Sequence, residues 1–136
     1  MTASQQRGSI LNQNQHELSL CPKKPNCVSS LSPIPEQHIS PIKFPENPEQ
    51  QFKKLCQIVA SQAGTEIQYQ DDIYIHVIFR SRLFKFKDDL EFLYDKATKQ
   101  CNVRSASRSG YYDFGVNRKR IEKIRKIFET GNSISN

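Results

Sequence analysis

Ile73-Tyr-Ile-His-Val-Ile-Phe-Arg80 is the stretch whose reading decides the fold. Ile73, Ile75, Val77 and Phe79 alternate with Tyr74, His76, Ile78 and Arg80, the period of two expected of a β-strand with two distinct faces. Working outward, Asp71-Asp72 is a turn signal, and Glu66 to Gln70 before it reads as a short strand. After it, Phe84, Phe86, Asp88, Leu90, Phe92 and Tyr94 share one parity, with a bend or bulge expected near Lys85 to Lys87. Asp95 to Gln100 is the next turn, and Cys101, Val103, Ser105 and Ser107 form one face of a further strand. Short consecutive connections favour an antiparallel meander of four strands.

The pattern changes to helical spacing at both ends of this run. After Pro48, the residues Phe52, Leu55, Cys56, Val59 and Ala63 fall on one face. Asn47 is a candidate cap and Gly64 a natural stop. Beyond the loop Ser109 to Gly115, Ile121, Ile124, Ile127 and Phe128 form the stripe of a last helix. Asn117 or Asp113 is its candidate cap, and Gly131 ends it. Upstream, Leu18 to Pro48 holds all seven prolines. Each removes a backbone donor and fixes φ, so this stretch reads as an extended strap, with one edge strand near His38 to Phe44. The expected fold is α+β: a four-stranded antiparallel meander, two helices on one face, and a proline-rich N-terminal strap.

Composition sets the outer limits. At 136 residues the chain suits one domain, expected over residues 18–130. Residues 1–17, rich in Gln, Asn and Ser, read as a disordered leader, and residues 131–136 as a flexible tail. No apolar run approaches the ~20 residues that span a bilayer, and no secretory signal precedes the strap, so the expected location is cytoplasmic. The net charge of +6 is uneven: from Arg104 onward, eight basic residues face three acidic ones. Such a surplus attracts phosphates, nucleic acid or an acidic partner, although a solvated helix face needs the same residues.

Four motifs carry a family resemblance. Cys21-Pro-Lys-Lys-Pro-Asn-Cys27-Val-Ser-Ser30, Phe86-Lys-Asp-Asp-Leu-Glu-Phe92, Arg104-Ser-Ala-Ser-Arg108 and Gly110-Tyr-Tyr-Asp-Phe-Gly-Val-Asn-Arg118-Lys-Arg-Ile-Glu122 occur in that order. Together they resemble the bacterial and plastid family catalogued as domain of unknown function 1499, from Leu18 to about Phe128. The resemblance implies an uncharacterised domain and carries over no catalytic residue.

Three constellations can hold chemistry. Strand alternation sends Asp89 and Glu91 to one face and Asp88 to the apolar face, where a carboxylate needs a partner. Asp88, Asp89 and Glu91 with Arg104 and Arg120 are expected to form a structural ion-pair network, with Arg108 and Arg118 as further arginines in reach; the same three carboxylates are the candidates for an acid–base site. Arg104, Ser105, Ser107, Arg108, Tyr111, Asn117 and Arg118, with the N-terminus of the last helix, form a candidate anion-binding set. The alternative is that these donors only satisfy the backbone of an irregular loop. Cys21 and Cys27 flank a proline-bearing loop, where a disulfide, a reactive thiol and a structural clip all stay open. His16 and His38 are within range as extra zinc ligands, but the spacing matches no familiar zinc motif, and neither a metal nor a cofactor is expected. Cys56 and Cys101 lie on apolar faces and read as small core residues. The functional expectation is a non-catalytic binding or interaction module for an anionic small molecule or an acidic protein partner. The alternative is an enzyme using a Cys21/Cys27 thiol or an Asp88/Asp89/Glu91 acid–base site. Nucleic acid is not an expected partner, because no reader motif accompanies the basic residues.

Overall fold

The computed structural model describes residues 16–81 and 86–131. Six strands form one antiparallel sheet: β1 (Cys27–Ser29), β2 (Ile42–Lys43), β3 (Thr65–Gln70), β4 (Tyr74–Arg80), β5 (Lys87–Asp95) and β6 (Gln100–Ser107). The order is β1-β6-β5-β4-β3, with β2 also pairing β6. Two helices complete the fold, α1 (Pro48–Ala60) and α2 (Val116–Thr130). The meander β3 to β6 is present, but four strands is a correction to six. The strap supplies the other two, because Cys27-Val28-Ser29 and Ile42-Lys43 contain no proline and so keep the donors that a strand ladder needs. Both lie along the β6 edge, and a parallel bridge joins Ser29 to His38.

Register assigns the faces. Phe79 sits opposite Asp88, Val77 opposite Leu90 and Ile75 opposite Phe92, and the last two continue to Ser105 and Val103. Apart from the polar Asp88 and Ser105, this face is apolar and packs under Phe52, Leu55, Cys56 and Val59 of α1 and Ile121, Ile124 and Phe128 of α2. Strap residues Val28, Ile39, Ile42 and Phe44 join the same core. Phe44, Phe52 and Phe92 are fully buried, and each such side chain contributes about 2–3 kcal/mol by leaving water. The opposite face carries Tyr74, His76, Asp89, Glu91, Arg104 and Ala106.

Element boundaries depart from expectation in three places. Helix α1 stops at Ala60, and Ala63 is exposed: the hydroxyl of Ser61 donates to Ile58 O, and that of Thr65 to Gln62 O and Ala60 O, ending the helix a turn early. Asn47 has a left-handed backbone at φ 46° and makes no side-chain cap bond. Of the two candidate caps for α2, Asn117 lies inside the first turn and Asp113 takes the role as expected, accepting from Gly115 N at 2.8 Å and Asn117 N at 3.1 Å. Phe86 precedes β5 and is exposed, its backbone tied to Ser81: its N–H donates to the Ser81 hydroxyl and its carbonyl accepts from Ser81 N. Phe84, Lys85, the expected leader as far as residue 15 and the expected tail from residue 132 lie outside the described residues.

Candidate functional site

Asp88 and Asp89 are adjacent in β5 and therefore face opposite ways. On the helix face, Arg120 reaches from α2 and places Nη2 2.9 Å from Asp88 Oδ2, while its guanidinium lies 4.4 Å from the Phe79 ring centre. Asn117, fully buried, is the hub beside this pair. Its Oδ1 accepts from the Ser105 hydroxyl at 2.6 Å and Arg120 Nη1 at 2.9 Å. Its Nδ2 donates to Ser107 Oγ at 2.9 Å, Asp113 Oδ2 at 2.8 Å and Asn26 O at 3.3 Å. Nearly every polar atom here has an internal partner, so the cluster ties β5, β6, α2 and the Cys27 loop together.

On the opposite face, Arg108 embraces Asp89 with Nε at 2.8 Å and Nη2 at 2.9 Å, and His76 Nε2 lies 2.8 Å from the same carboxylate. Burial works to raise the Asp89 carboxyl, but hydrogen bonds from Arg108 and His76 and then their charges outweigh it and hold the group below the ordinary carboxylate range. Beside it, Arg104 Nη1 stands 3.6 Å from Glu91 Oε1, and the Tyr74 hydroxyl donates to Glu91. Burial, followed by that hydrogen bond, pushes the Tyr74 phenol well up. The strap starts over this face: His16 stacks on Tyr74 at 4.1 Å and reaches Asp71 at 2.7 Å, and Arg104 Nη2 reaches Leu20 O at 3.5 Å.

The seven residues of the expected anion-binding set are thus split between several places. Ser105, Ser107 and Asn117 are in the internal hub, and Arg104 and Arg108 are on the opposite face. Arg118 donates to the strap at Glu36 O, and Tyr111 is exposed on the loop before α2. The N-terminus of α2, expected to help hold an anion, is occupied by the chain's own Asp113 carboxylate.

Cys21 and Cys27 are joined by a disulfide, with Cα atoms 5.7 Å apart. The five residues between them are pinned: Gln37 Nε2 donates to Pro22 O and Lys24 O, and Asn26 Nδ2 to Gly110 O. Between this loop, the 3₁₀ turn Pro35–Gln37 and the start of α2 lies a groove of about 520 Å³. Lys23 and Lys24 border it on one side and Tyr112 and Arg118 on the other, with Val28 and Ile34 as apolar wall. Two carboxylates also border it, Glu36 and Asp113, and Asp113 is turned into the helix end. What remains is three cations and one free carboxylate around an apolar floor, an arrangement suited to an anionic group attached to an apolar body. Sequence reading missed Lys23, Lys24, Tyr112 and Ile34 here. The available signal was the lysine pair held inside a cysteine-bounded loop.

Among the described residues, no group of three or more His, Cys, Asp or Glu is placed to hold a metal ion, and no helix is long and apolar enough to cross a membrane. His38 Nδ1 instead lies 3.2 Å from Ser32 O. Compared with known proteins, residues 17–128 match the model of a family described as protein of unknown function, DUF1499. No curated protein and no solved structure matches.

Proposed function

The chain belongs to the DUF1499 family, whose description assigns no activity, and from that premise we propose that it is a non-catalytic binding module whose groove takes an anionic group carried on an apolar body. The observation that carries this reading is the placement of Lys23, Lys24 and Arg118 around Val28 and Ile34, with one of the two bordering carboxylates, Asp113, already engaged by the backbone of α2 and only Glu36 left to oppose three cations. Arg118 uses Nη2 on Glu36 O at 3.0 Å and keeps further donors.

The enzymatic alternatives have less support. Cys21 and Cys27 are bonded to each other, so neither offers a thiolate. Asp88, Asp89 and Glu91 each face a guanidinium, and they point to two sides of one sheet. The disulfide also favours an oxidising compartment for this chain in place of the cytoplasm, where such bonds seldom persist.

The test is a titration with phenyl phosphate, followed by amide shifts in NMR spectra and compared with inorganic phosphate. Val28, Tyr112 and Arg118 should shift, phenyl phosphate should bind more tightly, and affinity should fall as salt rises. Lys24→Ala and Arg118→Ala should weaken binding several-fold, and Arg108→Ala, on the other face of the sheet, should not. Shifts confined to Arg108 and its neighbours, or none at all, would remove the proposal.

A further inference from the structure

The loop between β6 and α2 presents its aromatic side chains outward. Tyr111 is 65% exposed, Tyr112 56% and Phe114 75%, and Val116 beyond them is also exposed. For a ring such exposure is costly in water, and three within four residues call for an explanation. The loop is not loose. Asn26 Nδ2 holds Gly110 O at 2.7 Å, Asp113 N reaches Pro25 O, Val116 N reaches Asp113 O, and the Asp113 carboxylate is bonded on both oxygens. Phe114 occupies the left-handed region at φ 55°, a conformation unfavourable for a bulky residue. The fold thus strains its backbone while turning this ring to solvent, and the rings of Tyr112 and Phe114 touch edge to face at 4.7 Å.

One of these rings, Tyr112, shares the groove with Lys23, Lys24 and Arg118, and Lys119 follows on α2. We infer that this face docks on an anionic lipid surface: Tyr111, Tyr112 and Phe114 enter the headgroup boundary, and the basic groove receives a lipid phosphate. The electrostatic half of this inference rests on the groove reading above. A membrane fits better than a protein for two reasons. Tyrosine suits an interface that is wet on one side and apolar on the other. A single aromatic loop also falls short of the ~800 Å² per partner that a stable protein interface buries, whereas a few apolar residues combined with a basic patch suffice for reversible membrane attachment.

The experiment is co-sedimentation of the full chain with phosphatidylcholine vesicles with and without phosphatidylglycerol. The double variant Tyr111→Ser/Phe114→Ser alters rings that do not line the groove, so phenyl phosphate binding should survive in it. The expected result is sedimentation with the anionic vesicles alone, lost in high salt. It should fall at least tenfold in Tyr111→Ser/Phe114→Ser and in Lys23→Glu/Lys24→Glu, with urea midpoints reporting that both variants fold. No sedimentation, with phenyl phosphate still bound in the groove, would overturn the lipid inference and leave the groove reading standing. Sedimentation indifferent to Tyr111→Ser/Phe114→Ser, or indifferent to Lys23→Glu/Lys24→Glu, would overturn it too. Binding to polyglutamate but not to vesicles would overturn it in favour of an acidic protein.

Discussion

At the scale of single residues, charge placement follows from strand alternation. Asp88 and Asp89 differ by one position and answer to different arginines, one from α2 and one from just past β6. Asp89 yields a pH prediction with a definite sign. Its folded carboxyl is held below the ordinary range, so its contribution is present above the unfolded value near about 4 and is lost as pH falls through the lower folded value. Urea midpoints of the parent chain and Asp89→Asn should differ at pH 6 and converge only once the pH has fallen below the lowered folded value. A gap independent of pH would show that Asp89 acts through shape rather than charge. The cysteines give a second residue-scale prediction. Burial, then the charge of Asp71, raises the Cys56 thiol to about 12, and burial raises Cys101 well above its usual value. In the folded, non-reduced protein, iodoacetamide should modify neither. Unfolding without reductant should expose these two, and reductant should add Cys21 and Cys27. Mass spectrometry counts the adducts, and labelling of folded Cys56 would contradict its burial on the core face of α1.

At the scale of elements, the turn from α1 into β3 depends on Gly64. Its φ is +83°, and a Cβ there would sit 2.7 Å from the Arg80 carbonyl, whose own N–H donates to Gly64 O. Gly64→Ala should therefore destabilise the chain by about 2 kcal/mol, from the left-handed backbone and the backbone clash together. Equilibrium urea unfolding measures this, and an unchanged midpoint would show that β4 can move aside. The elements also mark where sequence reading stops. The meander was legible, because period-two stretches such as Tyr74–Arg80 announce their faces. The stripes of both helices were legible for the same kind of reason. β1 was not: three residues are too short for a period, and only the β6 edge makes them a strand, whereas β2 falls inside the edge strand expected near His38 to Phe44. The end of α1 was misplaced because the hydroxyls of Ser61 and Thr65 take its last carbonyls, whereas Asp113, one of the two caps named for α2, holds that helix start.

At the scale of the whole molecule, polar residues fall into an internal frame and an outer rim. Most arginines of the basic C-terminal third belong to the frame. Arg120 serves Asp88, Arg108 serves Asp89, and Arg125 donates to the strap carbonyls of Ser40 and Pro41. This explains why the candidate site was only partly legible. Arginine, serine and asparagine clustered in sequence looked like one anion site, but alternation along β6 sends Arg104 and Ser105 to opposite faces. Lysines 80 or more positions upstream reach Arg118 only through the folded strap, a proximity that no local pattern records.

The frame itself is tested most directly by a double-mutant cycle on Asp88 and Arg120, read as urea unfolding free energies. Each alanine variant strands a charge with little access to solvent and should cost about 3 kcal/mol. The double variant should cost much less than the sum, giving a coupling of about 2 kcal/mol. Two costs that simply add would contradict the account, because Asp88 and Arg120 would then be holding the sheet and helix independently.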